Sequence, residues 1–249
     1  MLLLNGGGMP TLERCRRQYP GGWKHLGRLA RPRHIHKLRE SLDAGFKVGV
    51  DNEAFCGWCL DRFVDMVGQI ELALYGRVLT HAERLAAALR ASTGLPEFLQ
   101  HLPALPPRHA NLLFVTVPDT PFDAAATARQ FADWAPLLSH LPLALCVQDG
   151  AGDIGIPWNW PGLRCLFMAG SDSYKLSTEM ADICREGKKR GLWIHGGRVN
   201  SIRRIRYMKS LGCVDSIDGT GFDKYRDTHL DWGLREVAAD TYPLRLPLS

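Results

Sequence analysis

The run LLFVTVPD at 112–119 decides the fold, because it is apolar along most of its length and then ends in a carboxylate. Continuous apolar runs of this length are typical of parallel strands that are buried on both faces. The run LALCVQD at 143–149 repeats the pattern. Between the two runs, Ala124, Phe131 and Leu138 lie on one helical stripe. The sequence therefore predicts a strand–helix–strand unit here.

Six further runs of the same kind follow one another along the chain, most of them ending in Gly or Asp. They are LLLNGG (2–7), HLGRLARP (25–32), KVGVDN (47–52), CLFMAG (165–170), LWIHGGR (192–198) and CVDSIDG (213–219). Eight strands alternating with helices predict an α/β fold, a (β/α)8 TIM barrel as a single domain over 1–249, with a helical insertion at about 59–103. An open doubly wound sheet is the alternative, although no G-x-G-x-x-G motif supports dinucleotide binding.

Composition limits where the protein acts. No apolar run approaches the roughly 20 residues of a membrane helix, and the first ten residues do not form a signal peptide. Seven irregularly spaced cysteines argue against a disulfide framework and suit a reducing compartment. We therefore expect no membrane contact and a cytoplasmic location, that of the host cell if the gene belongs to a phage. The sequence is also compatible with a homo-oligomer.

The basic residues are concentrated in two segments. Residues 14–39 hold nine Lys or Arg without an acid, and residues 187–209 hold eight, which leaves 14 basic against 26 acidic residues elsewhere. Such segregation predicts a polyanion-binding face, with solvated helix faces as the alternative. The candidate nucleic-acid-binding residues of the second segment are Lys188, Lys189, Arg190, Arg198, Arg203, Arg204 and Arg206.

Polar residues end several predicted strands, and in a (β/α)8 barrel catalytic residues come from those ends. The candidates on this rim include Asp51, Asn52, Phe55, Asp119, Gln148, Gly170, His195, Arg198, Asp215 and Asp218. Taken singly, each is a common turn or cap residue. Asp215 and Asp218 are three apart on a strand, so at most one faces the site.

Together these residue types are suited to glycosyl chemistry on a nucleotide base. Two carboxylates from different strands can divide glycosyl chemistry between a nucleophile and a proton carrier. A carboxylate and an amide can read a guanine-type base edge, an aromatic ring can stack on the base, and a glycine permits close backbone approach. His195 is expected to orient a substrate or to pack beneath the site. Cys56 and Cys59 are the only close cysteine pair, and no metal site is predicted.

Several motifs in order resemble the tRNA-guanine transglycosylase superfamily, from about residue 23 to 232. They are VDNEAFCGW (50–58), VTVPD (115–119), LPLALCVQDG (141–150), FMAGSDSYKLS (167–177), GLWIHGGRVNSIRRIRYMKSLGC (191–213) and DSIDGT (215–220). The chain looks closest to the short phage-type branch, the DNA 7-deazaguanine transglycosylases. The resemblance implies a (β/α)8 barrel, as the strand pattern does.

The resemblance also implies a role for each matching residue. Asp218 matches the nucleophile, and Asp51 matches the general acid/base of the family's D-S-G-G-aromatic motif. Base-binding roles fall on Phe55, which would stack, on Asp119 and Gln148, and on the backbone of Gly170. In this chain Asn52-Glu53-Ala54 replaces the small Ser-Gly-Gly of the family. Neither a nucleotide cofactor nor a metal is implied.

The expected function is therefore base exchange on DNA, in which guanine is replaced by a free 7-deazaguanine such as preQ0. The family's tRNA enzymes carry a C-terminal zinc site of three cysteines and a histidine, whereas 31 residues follow Asp218 and none is Cys. We accordingly expect no zinc subdomain. The alternatives are a tRNA-guanine transglycosylase, a barrel N-glycosidase, and a nucleic-acid-binding module without catalysis.

Overall fold

A computed structural model describes residues 1–19, 21–92, 95–225 and 228–239. Eight strands form one closed, all-parallel barrel in chain order, with β8 pairing with β1. The strands are β1 (Leu2–Asn5), β2 (Leu26–Ala30), β3 (Val48–Val50), β4 (Leu112–Thr116), β5 (Leu143–Val147), β6 (Leu163–Met168), β7 (Trp193–Gly196) and β8 (Ser216–Asp218). The predicted (β/α)8 barrel is confirmed, and the alternative open sheet is wrong.

Helices follow the strands and cover the outside of the barrel. They are α1 (Met9–Gln18), α2 (Leu38–Asp43), α3 (Leu60–Tyr75), α4 (His81–Ser92), α5 (Ala124–Leu138), α6 (Ala151–Ile154), α7 (Asp172–Lys175), α8 (Thr178–Lys189), α9 (Ile202–Ser210), α10 (Thr220–Lys224) and α11 (His229–Ala238). In the part of the chain that the structure describes, none of them has the length and apolarity to cross a membrane. Of the predicted domain 1–249, residues 20, 93–94, 226–227 and 240–249 lie outside the described residues.

Apolar side chains fill both the interior of the barrel and the layer between strands and helices. Inside the barrel, the buried rings of Phe114 and Phe167 lie edge to face with 6.0 Å between their centroids. Gly49 on the neighbouring strand makes room for Phe114, because a Cβ atom at Gly49 would lie 2.3 Å from that ring. The lower interior is therefore a packed core, and the open space lies above it at the strand ends.

Two helix starts place residues near those strand ends. Ser177 accepts a hydrogen bond from the Met180 amide and begins α8. Ser201 accepts the corresponding bond from the Arg204 amide and begins α9. The Asn200 side chain accepts a bond from the Gly221 amide at 2.9 Å, and so ties the β7–α9 loop to α10.

Helices α3 and α4 and a short 3-10 helix at Glu97–Leu99 occupy the stretch between β3 and β4 that was predicted as a helical insertion. The buried carboxylate of Glu71 pairs within the insertion and also joins the insertion to His140, which follows α5. Glu71 of α3 accepts two hydrogen bonds at 2.7 Å from Arg84 of α4, and His140 contacts it at 3.0 Å. Burial raises the pKa of Glu71, but these hydrogen bonds outweigh burial and lower it to about 2. The carboxylate is thus ionised and fully paired at neutral pH.

Candidate active site

A cavity of about 240 Å³ opens at the carboxyl ends of the strands. Most of the predicted rim residues line it together, although they come from six different strand ends. They are Asp51, Phe55, Asp119, Gln148, Gly170, Arg198 and Asp218. The parallel barrel brings them together because every strand end points to the same face.

Asp218 is the last residue of β8 and is 6% exposed. Its Oδ1 atom accepts a hydrogen bond from the Arg198 amide at 2.9 Å and lies 3.3 Å from His195 Nε2. Burial raises the pKa of Asp218, but His195 and the amide outweigh burial, so the pKa lies below its ordinary value. Asp218 is therefore a buried carboxylate that stays ionised, as a nucleophile requires.

Asp51 follows β3 and faces the same cavity in a different electrostatic state. Burial raises its pKa to about 7; a hydrogen bond from the Glu53 amide opposes this rise, and the nearby charge of Asp218 adds to it. A carboxyl group with this pKa exists in both protonation states at neutral pH. The site thus holds two carboxyl groups whose pKa values are driven apart, which is the usual sign of divided acid, base and nucleophile roles.

Asp119 and Gln148 form a joined pair on the opposite wall. Gln148 Nε2 donates to Asp119 Oδ2 at 2.7 Å, and Gln148 Oε1 accepts from the Phe122 amide at 2.9 Å. Asn52 donates to the other oxygen of Asp119 at 3.1 Å. These contacts fix the orientation of the Gln148 amide, because a carboxylate only accepts and an amide N–H only donates. Burial raises the pKa of Asp119, against the hydrogen bonds from Asn52 and Gln148.

Two exposed aromatic rings and one guanidinium form the mouth of the cavity. Arg198 lies 4.2 Å above the ring of Phe55 and 5.9 Å from that of Phe122, and its Nη2 donates to the Gly170 carbonyl. Phe122 and Arg198 both have positive φ, 68° and 58°, which is rare for residues other than glycine. Strained backbone of this kind concentrates at functional sites.

Glu53 is the remaining residue other than glycine with a positive φ in the described chain, at 59°. Its carboxylate meets two arginines of the first basic segment. Arg33 Nη2 lies 3.0 Å from Glu53, and Arg31 Nε lies 3.9 Å from it. Glu53 thus lines the cavity with its charge paired.

Sequence reasoning placed Asn52 on the rim without giving it a role, and it missed Phe122 and Arg31 as site residues. Arg31 lines the cavity and pairs with Asp223 at 3.1 Å, and its charge also acts on Asp51 and Asp218. It comes directly after β2, the one barrel strand besides β1 from whose end no rim residue was predicted. Asn52 and Phe122 follow strand ends too, but their contacts depend on loop conformations that a single sequence does not reveal.

Two rim predictions need correction. His195 is fully buried beneath Asp218, in contact with the rings of Phe167 and Phe114, so it cannot touch a base in the cavity. The expectation that it packs beneath the site is the correct one of the two. Asp215 precedes β8, where its carboxylate accepts from the Ile194 amide and pairs with Lys188, and it therefore lies at the opposite end of the barrel.

The second basic segment divides between the two ends of the barrel. Lys188, Lys189 and Arg190 lie at the end of α8, which runs back from the rim, and therefore at the opposite end of the barrel from the cavity; that they bind nucleic acid stays a prediction. Arg203 and Arg204 lie in the first turn of α9 on the rim side, where Arg203 is exposed and Arg204 pairs with Asp172. Arg206 lies further along and pairs with Glu236.

The chain matches no protein-family model and has no significant sequence similarity to a curated protein. Its class therefore rests on fold and site: a (β/α)8 barrel with an ionised carboxylate, a second carboxyl of pKa about 7 and a carboxylate–amide pair around one cavity. Among the described residues, no three His, Cys, Asp or Glu side chains are grouped so that they could hold a metal ion.

Proposed function

We propose that this protein is a base-exchange enzyme that replaces guanine in DNA with a 7-deazaguanine, through a covalent aspartyl-glycosyl intermediate. One observation carries the proposal. Asp218 is held ionised while Asp51, in the same cavity, has a pKa of about 7. A double displacement at a sugar carbon needs this division between a nucleophile and a group that gives and takes a proton.

In the first half-reaction, a guanine nucleotide leaves the base stack and enters the cavity. The Asp218 carboxylate attacks the anomeric carbon from the face opposite the base, and the bond between this carbon and the base breaks. Its electron pair leaves with the guanine, which takes a proton from Asp51. The sugar is then esterified to Asp218, and Asp51 is ionised.

In the second half-reaction, a 7-deazaguanine occupies the vacated base pocket. Asp51 removes the proton from the ring nitrogen of the incoming base, and this nitrogen attacks the anomeric carbon. The bond to Asp218 breaks and the carboxylate is restored. Two inversions give net retention, and Asp51 returns to its protonated starting state.

The pair of Asp119 and Gln148 suits the Watson–Crick edge of a guanine-type base. Each oxygen of Asp119 can accept a further hydrogen bond, here from the ring N–H and the exocyclic amine of the base. Gln148 Nε2 uses one proton on Asp119 and has a second to donate to the carbonyl oxygen of the base. A 7-deazaguanine keeps this edge, so one pocket can take both the leaving and the incoming base.

Asp119→Ala and Gln148→Ala should each weaken binding of the free 7-deazaguanine by about 10- to 100-fold, because each removes a hydrogen bond to a charged or buried partner. DNA affinity should change by less than about twofold. Isothermal titration with preQ0 and fluorescence anisotropy with a labelled duplex measure the two quantities. Unchanged affinity of either variant for preQ0 would remove that residue from the base pocket.

The rim side of α9 is the part of the second basic segment that supports binding to a phosphate backbone. Replacing Arg203, Arg204 and Arg206 together by Gln should lower the salt dependence of DNA affinity, by about 0.9 in log–log slope for each phosphate that the protein no longer neutralises. Replacing Lys188, Lys189 and Arg190 by Gln removes the same charge at the opposite end and serves as the control. Equal slopes for both triple variants would show that α9 does not face the DNA.

Incubation with labelled preQ0 and either duplex DNA or tRNA tests the function itself. Label in DNA, with release of one guanine per base incorporated, is the expected result. Label in tRNA alone would identify a tRNA-guanine transglycosylase, and guanine release without incorporation would identify an N-glycosidase. DNA binding without either reaction would identify a binding module.

A further inference from the structure

The contacts of Asp218 differ between its two carboxylate oxygens. Both hydrogen bonds to the carboxylate, from His195 Nε2 and from the Arg198 amide, fall on Oδ1. No described residue donates a hydrogen bond to Oδ2. Asp218 lines the cavity and is nevertheless only 6% exposed. One oxygen is therefore held by the protein, and the other is left for a ligand.

The first support of Oδ1 is a chain of three side chains, of which His195 and Ser216 are buried. Trp193 Nε1 donates to Ser216 Oγ at 2.8 Å, and His195 Nδ1 lies 2.8 Å from the same oxygen. Because an indole N–H only donates, the Ser216 hydroxyl accepts from Trp193 and can direct its own proton to Nδ1. His195 then presents an Nε2–H that is donated to Asp218.

The second support is a single peptide unit with a partner at each end. The N–H of Arg198 donates to Asp218 Oδ1, and the carbonyl of the same peptide, that of Gly197, accepts from the buried Lys175 Nζ at 3.1 Å. A positive charge on the carbonyl polarises the peptide and strengthens its N–H as a donor. The positive φ of Arg198, 58°, follows directly after this peptide.

We propose that Oδ2 of Asp218 is the attacking atom, and that His195 and Lys175 are positioning residues that hold Oδ1 so that Oδ2 faces the sugar. This inference rests on the proposed base exchange. The bond formed joins Oδ2 to the anomeric carbon, the bond broken joins that carbon to the base, and the electron pair leaves with the base. The second step reverses these changes with the new base.

Several charged groups face Asp218 besides His195. They are Arg31 after β2, Asp51 after β3 and Asp223 of α10. Arg31 favours the ionised form of Asp218, and the two carboxyl groups oppose it. A substitution of His195 leaves these three groups in place, so its effect reports on the hydrogen bond to Oδ1.

His195→Leu removes the side-chain donor to Oδ1, whereas His195→Gln can keep an N–H at a similar place. The Leu variant should lower kcat by about 10- to 100-fold at unchanged KM for the free base, and should move the acidic limb of the kcat profile to higher pH. The Gln variant should have a kcat at least tenfold above that of the Leu variant, and its acidic limb should lie closer to that of the unchanged protein. His81→Leu, at the start of α4 and outside the cavity, is the control. The proposal would be overturned if the acidic limb stayed at the same pH and kcat fell equally in both His195 variants.

A measurement without catalysis separates this inference from the proposed function. In protein labelled at the Asp carboxyl carbons, the resonance of Asp218 reports its titration. This resonance is identified as the one that Asp218→Asn lacks. His195→Leu should raise the Asp218 pKa, and Lys175→Met should raise it less, whether or not any base is exchanged. An Asp218 pKa that is unchanged in both variants refutes the two supports. A raised pKa in a protein that exchanges no base leaves the supports standing and refutes the proposed function.

Discussion

Asp218→Asn is expected to abolish base exchange, with a fall of at least about 10³-fold, while DNA affinity stays within about twofold of the unchanged protein. The amide keeps the shape of the side chain, and its oxygen can still accept from His195 and the Arg198 amide. It lacks the charge with which the carboxylate attacks the anomeric carbon. Incorporation of labelled preQ0 measures exchange, and anisotropy of a labelled duplex measures binding.

Asp215→Asn is the matched control for this experiment, because it makes the same substitution three residues earlier at the opposite end of the barrel. We expect this control to exchange base at close to the normal rate. Normal exchange by Asp218→Asn would refute the assignment of the nucleophile. Loss of activity in both variants would point to damage to β8 and its surroundings rather than to a missing nucleophile.

Asp51→Asn should lower exchange by about 10²- to 10⁴-fold, the usual contribution of a general acid/base. Because the pKa of Asp51 is about 7, exchange in the unchanged protein should depend on pH near neutrality. That dependence should vanish from the residual activity of the variant. A profile with the same limb near pH 7 in Asp51→Asn would assign the limb to another group.

The same substitution should stabilise the folded protein at neutral and alkaline pH. Folding raises the pKa of Asp51 from about 3.8 to about 7, so the native state binds more protons than the unfolded state in this interval. The free energy of unfolding therefore falls as pH rises from 4 to 7, by an amount on the order of 2–4 kcal/mol from this group. Asn carries no such penalty. Urea unfolding should show the variant more stable at pH 8 and equal at pH 4; equal stability at both would contradict the raised pKa.

The barrel was predictable because its strands are buried on both faces. Strands formed by continuous apolar runs such as 112–119 and 143–149 must be buried on both faces, and a parallel sheet covered by helices provides this burial. Their polar ends then had to meet on one face, which brought Asp51, Asp119, Gln148 and Asp218 together correctly. The error at Asp215 arose because β8 begins at Ser216, so a residue counted at the end of the strand lies before its start.

The rest of the site depends on features that pattern alone does not encode. The conformations of Glu53, Phe122 and Arg198 have positive φ, and their residue types give no sign of it. Charge counts also treated Lys188, Lys189 and Arg190 as equivalent to the arginines of α9. The direction of a helix after its strand separates the two groups, because the end of α8 and the start of α9 lie on opposite faces of the barrel.

The most direct test of the central claim is to search for the covalent intermediate. A guanine-containing DNA oligonucleotide is incubated with the protein, quenched in denaturant and analysed by mass spectrometry after proteolysis. We expect an adduct of the oligonucleotide without one guanine, carried on the peptide that contains Asp218 and absent when preQ0 is added before the quench. Incorporation of preQ0 into DNA with no such adduct, or an adduct on another residue, would refute Asp218 as the nucleophile.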